Sequence, residues 1–292
     1  MKVSVLGLGA MGSGIARNAL RIDPSLLVWN RSAAKSAPLV AAGAHAAQSP
    51  KAAALERDIV LSMLADDSAL EAVLEGPDGL LAGLAPGALH VSMSTIAPAT
   101  AERLGERHRE RGQRFIAAPV FGRPDAAAAA KLFIVAAGDP AECERARPLL
   151  EALGQRVFLV GERPAAANVV KLCGNFMILS AVEAFAEAMA LARKSGVPAA
   201  QLVEVLTGSL FDCIAYRGYG STLAQERFRP AGFAAPLGLK DMRLVAQAAE
   251  AQRVPMPLVG LLRDHLLETI ALEGEDIDWS AIGRTIARHG GL

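Results

Sequence analysis

Lys171 lies in the stretch AANVVKLCGNFMILSAVEAF, an apolar run at helical spacing with no acidic residue near the lysine in sequence. Asn175 follows four residues later, so the two side chains leave one face of a helix about one turn apart. An ammonium group set among Val169, Val170, Leu172, Phe176 and Met177 has its charged form disfavoured, which eases proton transfer. Adding a hydride to a carbonyl needs such a group, because the oxygen gains negative charge and must be protonated. Lys171 could supply that proton, and Asn175 could hold the substrate oxygen or the lysine. A lysine that snorkels its head to water would show the same pattern.

A second constellation sits at the start of the chain. Gly7, Gly9 and Gly12, with Ala10 and Met11 between them, form G-x-G-x-x-G after the run KVSVL and before a helical pattern. The first glycine permits a tight turn, the second lets the backbone approach a pyrophosphate, and the third lets helix and strand pack closely. The motif alone is weak, but here strand, turn and helix occur in the required order. The next strand, SLLVWNR, ends in Asn30, Arg31 and Ser32, where an acidic residue would grip the ribose hydroxyls of NAD. Asn30 and Ser32 can donate to phosphate oxygens, and Arg31 can pair with a 2′-phosphate or stack on adenine. NADP is therefore expected in preference to NAD, with NAD possible; an ordinary solvated arginine is the alternative.

The elements that must position these residues can be read along the chain. KVSVLGLG, SLLVWNR, RDIVLSML, ALHVSMST, RFIAAPV, KLFIVAAG and QRVFLVG read as strands, with helical segments between most of them. RDIVLSML lacks polar alternation, as a strand buried on both faces does. Such alternation predicts a mainly parallel, doubly wound sheet over residues 1–162. After residue 162 the strand signal stops. Pro164 can open a helix and Gly196 can end it, giving roughly thirty residues or about 45 Å of helix. A helix so apolar is expected to be buried on several sides. The main segments from residue 163 to 292 are helical in period, so an all-α domain should follow the α/β one, the long helix joining them.

Composition narrows the function classes. Acidic and basic residues number 30 each, which removes the electrostatic case for a nucleic-acid or anionic-membrane partner. The three cysteines, Cys143, Cys173 and Cys213, show no paired spacing, so neither a disulfide framework nor a thiolate metal site is expected. His45, His90, His108, His265 and His289 lack zinc-binding spacing and read as surface or strand-end residues. Cys173 points about 200° around the helix from Lys171 and reads as core packing. Glycines interrupt the N-terminal apolar run, so no signal peptide is expected and the chain should be cytoplasmic. No stretch reads as a membrane span, the best being interrupted by Lys171, Glu183 and Glu187. The apolar helical half suggests a homodimer or homotetramer. Phe211, Tyr216, Tyr219 and Phe233 fall in a segment that reads as irregular, capping a substrate or packing between domains or subunits.

Taken together, GLGAMGSGIARN, VSMSTIAP, APVFG, KLCGN and LGLKDMRL, in that order, resemble the β-hydroxyacid dehydrogenase family. That group includes 3-hydroxyisobutyrate dehydrogenase and the glyoxylate and semialdehyde reductases, and is more distantly similar to 6-phosphogluconate dehydrogenase. The match runs through essentially the whole chain. It implies a Rossmann domain followed by a helical domain, with a small-molecule substrate in the cleft between them. It further implies that Lys171 is the general acid and base, that Asn175 assists it, and that Ser94 with Thr95 touches substrate and cofactor. Lys240 would reach into the cleft, and the backbone at Leu64 and Ala65 would line the nicotinamide side. On spacing alone, Lys240 and Asp241 pass as a solvated helix face, and Ser94 and Thr95 as an N-cap pair ahead of Pro98.

The chain departs from that family where the substrate is held. Ser-Gly-Gly or Ser-Gly-Ser after APV is replaced by Phe121, Gly122 and Arg123. Phe121 removes a hydroxyl and fills space, while Arg123 could restore carboxylate binding by a bidentate contact or point to solvent. Paired asparagines after the lysine become Gly174 and Asn175, and glycines before it become Ala165 and Ala167. A 3-hydroxy acid or its semialdehyde is the expected substrate. A reductase of imines or bulkier carbonyls is a rival reading, against which stands the retained lysine. A non-catalytic NADP-binding protein is another, opposed by Lys171 and Asn175 together.

Overall fold

Nine strands organise the first part of the chain in this computed structural model, which describes residues 1–292. They are β1 (Val3–Leu6), β2 (Leu27–Trp29), β3 (His45–Ala46), β4 (Ile59–Ser62), β5 (Leu89–Ser92), β6 (Arg114–Ala117), β7 (Val120–Phe121), β8 (Leu132–Gly138) and β9 (Gly154–Leu159). All seven expected strands are present. β3 and β7 add to them, each only two residues long and too short to show a period.

The sheet order is β3-β2-β1-β4-β5-β6-β8-β7, with β9 beside β8. Every pairing from β3 to β6 is parallel, while β8 runs antiparallel to β6 and β7. This is the doubly wound Rossmann arrangement. Strand order reverses between β1 and β4, and ligands of such sheets bind outside the carboxyl ends of the strands at that reversal.

Burial follows the pleat. Val3, Val5, Ile59, Leu61, Leu89 and Val91 face one apolar cluster, and Leu6, Val60 and Phe115 face another. β4 is buried along its whole length, as its unalternating sequence requires.

The long helix runs Pro164–Lys194 and stops before Gly196, whose φ of +83° suits a residue without a side chain. The chain divides into two compact units within it, Met1–Lys171 and Leu172–Leu292. Contrary to expectation the helix is not wrapped on all sides. Ala167, Leu172, Leu179, Val182 and Phe185 are buried, but Met177 and Leu191 are 68% and 70% exposed, and Val169 and Val170 are also open. The helix is also long and apolar enough to cross a membrane by length and composition, which the sequence reading did not anticipate. Lys171, Asn175 and Glu183 are buried within it.

The second unit continues with helices Ala199–Thr207, Ile214–Ala224, Ala235–Ala251, Pro257–Glu273 and Ile282–His289. Trp279 organises part of it: its indole N–H donates to the Tyr219 hydroxyl at 2.9 Å and its ring meets Phe233 edge-on at 4.8 Å. Phe211 and Tyr216 form a separate pair with ring centroids 5.2 Å apart. Tyr216 and Tyr219 thus lie on a regular helix rather than in an irregular segment.

Two further expectations are corrected. Cys173 is exposed, because the side of the long helix away from Lys171 faces solvent there and not a core. His90 and His108 are wholly buried rather than superficial. Burial pushes the His90 imidazole well below its ordinary range, the neighbouring His108 adding to the effect. Burial pushes His108 down to about 4, helped by Arg111 and Arg107 and opposed by the hydrogen bond to Gln113. Unfolded rings take up protons near 6.5 while the folded ones stay neutral, so this stabilisation is complete above that pH and fades as pH falls toward 4. Urea unfolding at stepped pH should show stability falling by on the order of 3 kcal/mol over that window from His108 alone. His108→Gln should make the fall shallower.

Candidate active site

The glycine turn is shaped by its contacts. Gly7 has φ +91°, and a Cβ there would stand 2.3 Å from the Met63 carbonyl oxygen. At Gly12 a Cβ would stand 1.8 Å from the Gly7 carbonyl oxygen, so helix Ala10–Ala19 can approach β1 only without a side chain there. Gly9 differs: nothing lies within 4 Å of its would-be Cβ, leaving open space beside the backbone. Ala10 is exposed and Met11 half-buried at the helix start, where no side chain caps the helix and the first turn carries no acidic residue. A free approach to N–H groups at the positive end of a helix suits a pyrophosphate. The turn therefore fits a dinucleotide.

Three neighbouring loops flank it on the carboxyl edge of the sheet. Asn30, at the end of β2, is tied to the turn: its Oδ1 accepts from the Leu8 amide at 2.9 Å and its Nδ2 donates to the Ser32 carbonyl at 3.1 Å. Arg31 and Ser32 are the exposed groups there. Beyond β4, the Leu64 amide donates to Ser94 Oγ at 2.8 Å, joining that loop to the one after β5. Ser94 is thus not a helix cap; the N-cap position of Pro98–Glu110 is Ala97. Ala65 is exposed and Thr95 half-buried.

Lys171 is 9% exposed, and its Nζ sits 4.5 Å from the centroid of the Phe121 ring. A cation over an aromatic face is attracted by the ring quadrupole, the more so when removed from water. Phe121 is placed by β7, and Gly122, at φ +137°, turns the chain into helix Pro124–Ala128, with Arg123 at its N-cap. One turn before Lys171, the buried Asn168 accepts a long bond from the Ile96 amide at 3.5 Å.

In the second unit, Asn175 is 4% exposed and donates from Nδ2 to Asp241 Oδ2 at 2.5 Å. Lys240 Nζ pairs with Asp241 Oδ1 at 2.9 Å. Asp241 is 1% exposed, so the pair that spacing presents as a solvated face is half buried. Sequence reasoning passed over Asp241 and Asn168. Buried Leu239 and Met242 flank the Lys-Asp pair, which was a usable signal for Asp241.

Residues 2–161 match the family described as the NAD binding domain of 6-phosphogluconate dehydrogenase. Residues 165–286 match the one described as NAD-binding of NADP-dependent 3-hydroxyisobutyrate dehydrogenase. An uncharacterized oxidoreductase, YfjR, of Bacillus subtilis is 45% identical over 98% of this chain and 100% of its own. The NAD-dependent L-serine dehydrogenase of Pseudomonas aeruginosa is 36% identical over 89% of each chain. The structure of Mycobacterium tuberculosis 3-hydroxyisobutyrate dehydrogenase with L-serine superposes with a TM-score of 0.88, at 28% identity and 98% coverage of both chains. The chain belongs to the β-hydroxyacid dehydrogenase family. It is an NAD(P)-dependent oxidoreductase acting on CH–OH groups.

Asp241 accepts from Asn175 and pairs with Lys240, so removing its carboxylate takes a charged acceptor from a buried amide. Asp241→Ala should lower unfolding stability by about 1.5–3 kcal/mol in urea denaturation, the value of a buried bond to a charged acceptor. Asp241→Asn should lose less. Equal, negligible losses in both variants would show that the carboxylate holds nothing.

Proposed function

We propose that this enzyme interconverts a small 3-hydroxy acid and its semialdehyde, prefers NADP(H), and uses Lys171 to give and take the proton. The observation that carries the reading is the buried Lys171 ammonium against the Phe121 ring, one helical turn from Asn175. The nicotinamide, when bound, supplies or accepts the hydride. In the reducing direction Lys171 donates a proton to the carbonyl oxygen, and in the oxidising direction it accepts one from the hydroxyl. Asn175, tethered through Asp241, keeps a polar group on the same face of the helix.

The substrate class draws support from two directions. Serine and 3-hydroxyisobutyrate, in the names of the relatives, both carry a hydroxyl on the carbon β to a carboxylate. Arg123, beside Phe121, offers a guanidinium for that carboxylate, and Phe121 an apolar wall. The cofactor preference rests on Arg31 and Ser32, exposed at the end of β2 where no acidic residue stands. A relative named as NAD-dependent favours the opposite preference, so the residues at 31 and 32 are the point to test.

Lys171→Ala should lower turnover by roughly 10²–10⁴-fold while nucleotide affinity, read by fluorescence titration, stays nearly constant. Unchanged turnover would reject the role. In steady-state kinetics with both nucleotides, Arg31→Ala should reduce the NADP over NAD preference by about tenfold or more. The same preference before and after the substitution would refute the assignment of Arg31.

A further inference from the structure

Four side chains cross the second face of the sheet out of reach of water. Ser62 Oγ lies 2.8 Å from His90 Nε2, His90 Nδ1 2.9 Å from His108 Nε2, and His108 Nδ1 2.9 Å from Gln113 Oε1. Gln113 Nε2 donates to the carbonyls of Leu81 at 2.9 Å and Leu84 at 2.7 Å. Ser62, His90 and His108 are 0% exposed. Phe115 stacks on His108 and meets His90 edge-on.

Every proton in this chain has one place. Only the amide NH₂ of Gln113 can donate to two carbonyls, so its Oε1 is an acceptor and His108 Nδ1 must carry hydrogen. A neutral ring has one N–H, and so His108 Nε2 accepts the Nδ1–H of His90. His90 Nε2 is then an acceptor too, and the Ser62 hydroxyl donates to it. A Ser–His contact of this kind can activate a nucleophile, but Ser62 is wholly buried and reaches no substrate. What the chain can do is fix geometry.

Ser62 ends β4, and the next three residues are Met63, Leu64 and Ala65. The Ser62 carbonyl accepts from the Met93 amide at 2.8 Å, and the Met63 amide donates to Leu6 at 2.9 Å. Met63 also supplies the carbonyl against which Gly7 turns. We propose that His90 and His108 are positioning residues for the nicotinamide cofactor: the chain from Gln113 sets the Ser62 hydroxyl, and through it the backbone of Met63–Ala65 against which the cofactor lies. This rests on the reading that the loop lines the cofactor.

Nitrogen NMR of the ligand-free protein at neutral pH should show both rings as neutral Nδ1–H tautomers; an Nε2–H or charged ring at either position would overturn the proposal. NADPH affinity should then be measured by fluorescence for Ser62→Ala, His90→Phe and Ala65→Trp. The first two should weaken binding about fivefold and raise the cofactor KM alike, with kcat moved less than about twofold. Ala65→Trp should weaken binding by obstructing the loop itself. Weakening by Ala65→Trp with wild-type affinity in Ser62→Ala and His90→Phe would overturn the positioning role and leave the loop reading intact. Wild-type affinity in all three would overturn both. Ser62→Ala removes one oxygen and decides the matter if His90→Phe does not fold.

Discussion

An ammonium group taken out of water needs a substitute for its hydration, and without one its burial costs several kcal/mol. At Lys171 part of that substitute is the face of Phe121, 4.5 Å from the nitrogen. Much of the surrounding structure serves this contact. β7 is only two residues long, yet its pairing with β8, Phe121 opposite Phe133, sets the ring. The long helix begins at Pro164, two turns before the lysine, and presents it from a rigid element. The family's usual serine and glycines after the alanine-proline-valine segment would leave no ring there. The departure at Phe121 therefore concerns the lysine as much as the substrate.

A second constraint gathers the cofactor loops. Gly7 and Gly12 lie so close to Met63 and to one another that the turn, β4 and helix Ala10–Ala19 form one body. Asn30 ties the end of β2 to the same turn, and Ser94 ties the loop after β4 to the loop after β5. Four strand ends are thus joined by contacts of a few residues. The buried histidine chain extends this body away from the carboxyl edge, to Gln113 and the carbonyls of Leu81 and Leu84.

Much of this was legible in sequence, for physical reasons that also explain what was missed. Short runs rich in apolar and β-branched residues marked the main strands, and Pro164 with Gly196 marked the long helix, because breakers act locally. Which face of that helix is buried could not be read: its apolar residues go all the way round, so Val169, Val170 and Cys173 looked like core and lie open. His90 did carry a signal, since it sits between Leu89 and Val91 in a strand covered on both faces. His108 lies on the face of Ala101 and Leu104, at helical spacing, and is buried with them. Reading histidines only for metal spacing passed over both. Asp241 was hidden by its neighbour, since an adjacent Lys-Asp pair resembles a solvated face until its partner Asn175, 66 positions earlier, is brought to it.

Restoring a missing amine from solution tests the role of Lys171 most directly. Small primary amines added to the Lys171→Ala enzyme should recover turnover in proportion to their concentration, with a rate that tracks amine basicity. Turnover at the wild-type rate without added amine, and indifferent to its addition, would contradict a proton passing through this side chain.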